Sequence, residues 1–291
     1  MYNRREFLDK ERRRAPFGRI EMKKRILATV LATGCCLSAA FSFSGCDLFS
    51  NTAADYEKWS ASIAETALLS NVNIKKHETP FQGNTQISQG SGMIFHTETI
   101  EGEVYYYALT NNHVIHEKIT SLGSSYAVYA YDCFDNVYTS SVVYADAAYD
   151  LAVISFSQGT DVEGNPILLN VANIAESNPS GATPVAAVGN PEGRHNSSTF
   201  GKTIRYETVS VTGVTAAESN VAFPALVHSA FTLSGSSGCA VIDEKLEIVG
   251  VHYACGYDQD GEFVEGYAVP ALKIREFLLA AEEKKGIELG V

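Results

Sequence analysis

The chain has 291 residues, 45% of them apolar and 19% charged, with a net charge of −12. Ten of its 22 Lys/Arg crowd into residues 1–25 beside four acidic residues, and 26–45 are uncharged, so 46–291 hold 12 basic and 30 acidic side chains. So acidic a body lacks the clustered Lys/Arg that a nucleic-acid or anionic-surface partner needs. No Cys-x-x-Cys pair or His/Cys cluster points to a metal, and no cofactor is expected.

In chain order, Lys23-Lys24-Arg25 leads into the uncharged run Ile26 to Gly45 and then Cys46-Asp47. A basic start, an apolar core and a small-residue exit are the parts of a secretory signal. Ile26 to Phe43 is about long enough to span a membrane, but its Ala, Ser, Thr, Gly and Cys make a weak span. Phe43-Ser44-Gly45-Cys46 resembles a bacterial lipobox, with Phe43 where Leu is most often found. Ala32-Thr33-Gly34-Cys35 is a second candidate with a very short apolar core. The resemblance implies a signal region over 1–45, lipidation at Cys46, and a tethered protein in the bacterial envelope, outside the cytoplasm. Met22 looks like a natural start. Cys133, Cys239 and Cys255 then remain, too few for a disulfide scaffold. A Cys239–Cys255 bridge and buried free thiols are both open.

Residues 46–69 read as a tether plus a short helix, on the spacing of Ala54, Trp59, Ile63, Leu68 and Leu69. From Val72 onward the pattern changes to short runs rich in Val, Ile, Tyr and Thr, cut by Gly, Asn, Asp and Ser. Strands are expected at 92–95, 104–109, 126–131, 140–144, 151–156, 167–171, 184–188, 202–214, 240–242, 248–253 and 262–269. So many short strands in about 200 residues suit an all-β pair of small barrels. A final helix over 270–285 is expected from Leu272, Ile274, Phe277, Leu278 and Ala281, started by Pro270 and stopped by Gly286. The strand-rich body would run over 70–286, with barrel one at about 70–158 and barrel two at about 166–270. No further domain is expected after Gly286.

Three groups stand where they can act together. Ser237 lies in Gly235-Ser236-Ser237-Gly238, a turn whose glycines permit sharp bending before an apolar strand. His113 lies where the apolar run Tyr107-Ala108-Leu109 gives way to Thr110-Asn111-Asn112. Asp150 immediately precedes Leu151-Ala152-Val153-Ile154, and an aspartate buried there needs a partner. A serine is a poor nucleophile until a positioned base, usually a histidine held by a carboxylate, takes its proton. Taken singly, each has a plainer role as a turn residue, and His113 with His116 is a bare His-x-x-His.

The ordered set resembles the trypsin-like (chymotrypsin-fold) serine endopeptidases. Thr110-Asn111-Asn112-His113-Val114, Asp150-Leu151-Ala152-Val153 and Gly235-Ser236-Ser237-Gly238 look like that family's histidine, aspartate and serine boxes. Gly189-Asn190-Pro191 and Gly266-Tyr267-Ala268-Val269-Pro270 resemble strings of its bacterial branches. The resemblance implies two six-stranded antiparallel β-barrels, with Ser237 as nucleophile, His113 as general base and acid, and Asp150 orienting it. The N–H groups of Gly235 and Ser237 would form the oxyanion hole, and proteins or peptides would be the substrates. Two departures are Ser236, where Asn or Asp is usual, and Cys239, where Gly, Ser or Ala is usual.

Thr232, five residues before Ser237, and His252, fifteen after, match the pattern of the glutamyl endopeptidase branch, which implies a pocket for an acidic side chain. The plainer alternative makes His252 a satisfied strand histidine. The Deg-type branch, with its small apolar preference and its usual PDZ domain, is the second relative. A protease-fold binding module that has lost activity at Ser236 or Cys239 is the reading from a different class.

Overall fold

The computed structural model describes residues 53–291. The expected signal region and the lipidation at Cys46 lie outside the described residues. Helix α1 (Ala53–Glu65) is followed by a single 3-10 turn, Ala67–Leu69. Trp59 and Ile63 are buried, and the Trp59 ring meets Phe200 edge-on at 5.1 Å.

Twelve strands then close two antiparallel barrels. Barrel one uses β1 (Asn71–Thr79), β2 (Gln86–Ile100), β3 (Glu103–Thr110), β4 (Ser125–Tyr131), β5 (Val137–Asp146) and β6 (Leu151–Ser157). Barrel two uses β7 (Pro184–Gly189), β8 (Ser197–Glu207), β9 (Ala225–His228), β10 (Ala240–Ile242), β11 (Ile248–Tyr257) and β12 (Phe263–Pro270). The hydrogen-bonded orders are β1-β2-β3-β6-β5-β4 and β7-β8-β9-β12-β11-β10 around each closed circuit, the same arrangement twice. The fold is the expected pair of six-stranded barrels with a short N-terminal and a C-terminal helix.

Barrel one closes on a large apolar interior that includes Ile74, Ile94, Val128, Ile154 and Phe156. Burying one such side chain contributes about 2 kcal/mol. The interior of barrel two is smaller, built on Val185, Leu226, Val241, Val249 and Ala268. Between β3 and β4 lies the one-turn helix α2 (Asn112–Ile115). Helix α3 (Ala271–Lys285) starts after Pro270 and stops at Gly286, whose φ of +66° suits glycine. Ile274, Phe277, Leu278 and Ala281 are buried as one stripe, but Leu272 faces solvent. It lies two residues from Ile274, and that spacing puts it on another side of a helix. Phe277 packs on Tyr144 and Tyr149, so α3 braces the turn that carries Asp150.

Two further expectations need correction. Residues 167–171 form no strand. Ile167 and Leu169 pack against the barrel-one core, while the Ile167 and Asn170 N–H groups donate to Gly159 and Leu69 carbonyls and the Leu169 N–H to the Tyr106 hydroxyl. The short apolar run packs on a barrel end, without a ladder. The strand expected over 202–214 ends at Glu207, and 208–224 is irregular.

Candidate active site

β3 ends at Thr110, and α2 then places His113 at the barrel rim. The chain between them is tied to the Asp150 turn, because the Asn111 carboxamide donates to the Asp150 carbonyl at 2.8 Å. Asp150 itself closes the β5–β6 turn, its N–H donating to Ala147 O at 3.2 Å. Its φ of +50° is uncommon outside glycine, although Asp is among the residues that tolerate it. The carboxylate is fully buried and uses both oxygens on one residue. Oδ1 accepts the His113 backbone N–H at 3.0 Å, and Oδ2 lies 2.8 Å from His113 Nδ1. This two-point contact fixes the imidazole and the backbone that carries it.

A second clasp comes from the irregular 208–224 segment of barrel two. The Asn112 carboxamide donates to the carbonyls of Ala217 and Glu218 at 3.0 and 2.7 Å, and Lys118 pairs with the Glu218 carboxylate. Burial raises the Glu218 carboxyl, but the Lys118 and Thr215 hydrogen bonds outweigh that and hold it below the usual carboxylate range. Nothing in the sequence marked this contact, which joins segments about 100 residues apart.

Ser237 lies in the β9–β10 loop. Gly235 and Gly238 have φ of +90° and +87°. A Cβ on Gly238 would sit 2.1 Å from Ser91 O, so no larger residue fits. Ser236 closes the turn on Leu233 in both directions. Its N–H donates to Leu233 O at 2.9 Å, and its Oγ accepts the Leu233 N–H at 3.1 Å. Cys239 is buried against Gly189, where an added Cβ would come within 2.4 Å of the Cys239 Cβ. The two departures from the family pattern are thus packed and bonded parts of the turn. Among the described residues the Gly235 and Ser237 N–H groups have no acceptor, and the Ser237 hydroxyl makes no hydrogen bond.

Thr232 and His252 come together through a third residue. Cys255 Sγ lies 3.2 Å from Thr232 Oγ1 and 3.5 Å from His252 Nε2. Behind His252, its Nδ1 is 3.2 Å from Nε2 of His228, on β9. Both histidines are buried. Burial pushes His228 down to about 4 and His252 well below the usual histidine range, with the neighbouring His228 and His113 adding to the effect. The His228 ring reaches across β12 over Gly266, where a Cβ would come within 2.4 Å of it. Cys133, Cys239 and Cys255 are free thiols. Among the described residues no group of three His, Cys, Asp or Glu is arranged to hold a metal. A cavity of about 620 Å³, lined in part by Phe95, Asn173, Asp243 and Arg275, touches none of these site residues.

Residues 90–251 match the trypsin-like peptidase domain family. No curated protein matches the chain. Among solved structures, an inactive-form serine-to-alanine mutant of Rv3671c from M. tuberculosis H37Rv is similar in fold, with a TM-score of 0.52. Its sequence is 18% identical, over 78% of this chain and 92% of that one. With more than half of its length in the family match and both barrels of that fold present, the chain belongs to the trypsin-like peptidase family.

Proposed function

We propose that the protein is a serine endopeptidase acting through Ser237, His113 and Asp150. The observation that carries this reading is the two-point contact between Asp150 and His113. With Nδ1–H donated to Asp150, His113 keeps Nε2 free to take the Ser237 proton. Ser237 Oγ attacks the scissile carbonyl, and the resulting oxyanion takes the free N–H groups of Gly235 and Ser237. His113 then returns its proton to the leaving amine, and water releases the acyl group by the same base. Among the described residues the Ser237 hydroxyl makes no hydrogen bond of its own, and catalytic hydrogen bonds are often loose before substrate binds. A fluorophosphonate probe should label the protein and fail on Ser237→Ala. Absence of label and of peptide cleavage in the native chain would leave the binding-module reading in its place.

We further infer a preference for an acidic residue, Glu above all, before the scissile bond. Support comes from the convergence of Thr232, His252 and the Cys255 thiol, three groups able to donate to one carboxylate. Burial keeps His252 neutral, so this pocket would select through hydrogen bonds. In the tautomer that donates Nε2–H, His252 Nδ1 accepts from His228. Paired peptides with Glu or Leu before the cut test the idea, with His252→Ala as control. Better cleavage after small apolar residues would favour the Deg-like preference.

Export and anchoring at Cys46 complete the proposal, supported by the basic-apolar-Cys pattern of residues 23–46. Among the described residues no helix is long and apolar enough to cross a membrane. Incorporation of labelled palmitate in the native chain, lost on Cys46→Ser, is the expected result.

A further inference from the structure

We propose that Ser91, in barrel one, is a positioning residue that holds the oxyanion turn of barrel two in its working shape. The inference rests on the serine-endopeptidase reading. Ser91 lies on β2 between Gly90 and Gly92 and is fully buried. All of its polar groups are committed, and three of the four hydrogen bonds described below go to barrel two. Its hydroxyl donates to the Gly235 carbonyl at 2.8 Å and accepts the Asn190 N–H at 2.8 Å. Its backbone N–H donates to the Ser237 carbonyl at 2.7 Å, and its carbonyl accepts from Thr110 Oγ1 at 2.7 Å. The flanking glycines make this approach possible, since a Cβ on Gly90 would lie 2.9 Å from Ser237 O.

The consequence follows from peptide geometry. Across a trans peptide the C=O and N–H point in opposite directions, so a pinned carbonyl fixes the N–H behind it. The Glu192 N–H pins the Ser234 carbonyl at 2.6 Å, which sets the direction of the Gly235 N–H. Gly235 is free to rotate, because glycine occupies both signs of φ with equal ease. Ser91 Oγ supplies the next restraint along the chain, holding the Gly235 carbonyl against the Asn190 turn. Without that hydroxyl, a buried carbonyl loses its partner, and the turn can relieve the loss by rotating. That rotation turns the Gly235–Ser236 peptide, gives up the Ser236 N–H bond to the Leu233 carbonyl at its other end, and shifts the Gly235 Cα, which draws the Gly235 N–H off its aim even though the Ser234 carbonyl stays held. Ser91 touches no substrate and acts through Gly235.

The test compares the full chain carrying Ser91 with Ser91→Ala, using a peptide substrate that the native chain cleaves. The expected result is a fall in kcat on the order of 10²-fold, the scale seen when one oxyanion donor is lost, with KM within threefold. Affinity for a peptide boronic acid, which forms a tetrahedral adduct, should fall in parallel, while affinity for a product peptide stays unchanged. If Ser91→Ala does not fold, Ser91→Cys is measured the same way, because its thiol keeps the volume with a weaker donor. A kcat within twofold of native in a folded variant overturns the proposal. So does an equal loss of product-peptide affinity, which would mark general distortion. If the native chain cleaves nothing and takes no fluorophosphonate, the peptidase reading fails first and this proposal falls with it. Native activity with a normal Ser91→Ala overturns the Ser91 proposal alone.

Discussion

The two barrels share one strand order but divide their contents differently. In barrel one the loop after the third strand carries His113, and in barrel two the loop after the equivalent strand, β9, carries Ser237. The β5–β6 turn holds Asp150, whereas the equivalent β11–β12 turn is an exposed Asp258–Glu262 reversal. Barrel one has the larger aliphatic and aromatic interior and buries a Lys76–Glu78 ion pair on β1, whereas barrel two buries the uncharged histidine pair His228 and His252 beside Thr232. The difference teaches a division of labour. Under the proposed mechanism one barrel supplies the seat for proton transfer, and the other combines the proposed nucleophile with the proposed specificity wall.

The sharpest way to break the comparison is at Asp150. Asp150→Asn should leave the fold intact but present the wrong tautomer of His113, with kcat falling on the order of 10⁴-fold. Next come matched truncations in the two interiors, Ile154→Ala and Leu226→Ala. Each should cost about 3 kcal/mol in chemical denaturation. One shared unfolding transition for both would mean that the barrels fold as a unit, and two separated transitions would mean that they do not.

Acid should single out barrel two. His228 and His252 titrate below the unfolded value near 6.5 because burial disfavours their charge. Between that value and the folded ones the unfolded chain binds more protons, so stability is present above about pH 6.5 and lost as pH falls. The slope should be up to about 1.4 kcal/mol per pH unit for each histidine. Thermal unfolding followed from pH 7 to 4.5 should show a shallower fall in His228→Gln than in the native chain. The smallest effect belongs to the clasp between the barrels. Lys118→Ala should cost below about 1 kcal/mol, because Lys118 is half exposed and screened.

Much of this was legible in the sequence because the evidence was local. Asp150 preceded a wholly apolar strand, His113 followed one, and Ser237 sat between glycines whose positive φ the structure requires. The rest depended on contacts across the fold. His228 lay outside every expected strand, and its pairing with His252 requires β9, β12 and β11 side by side with Gly266 leaving room for the ring. Cys255 looked like a candidate for a disulfide with Cys239, yet it is a free thiol that faces Thr232 and His252. Ser91 sat in an ordinary Gly-Ser-Gly, and only the approach of barrel two gave its hydroxyl a partner. Residues 167–171 misled because a short apolar run that packs on a barrel end reads the same as a short strand.

The contacts of Ser91 with barrel two carry one more consequence. The parts that must meet for chemistry stand on separate closed barrels, while the bonds that hold each barrel together run within it. Register between the barrels draws on polar contacts, among them Ser91 to Ser237 and the paired carboxamides of Asn71 and Asn190, beside the apolar packing of α3 on Tyr144. A slip of about 1 Å there can cost on the order of 10²-fold in rate, although neither barrel has lost a strand. Mild denaturant should therefore abolish the proposed peptidase activity before any spectroscopic sign of unfolding, the proposed centre being more fragile than the scaffold that bears it.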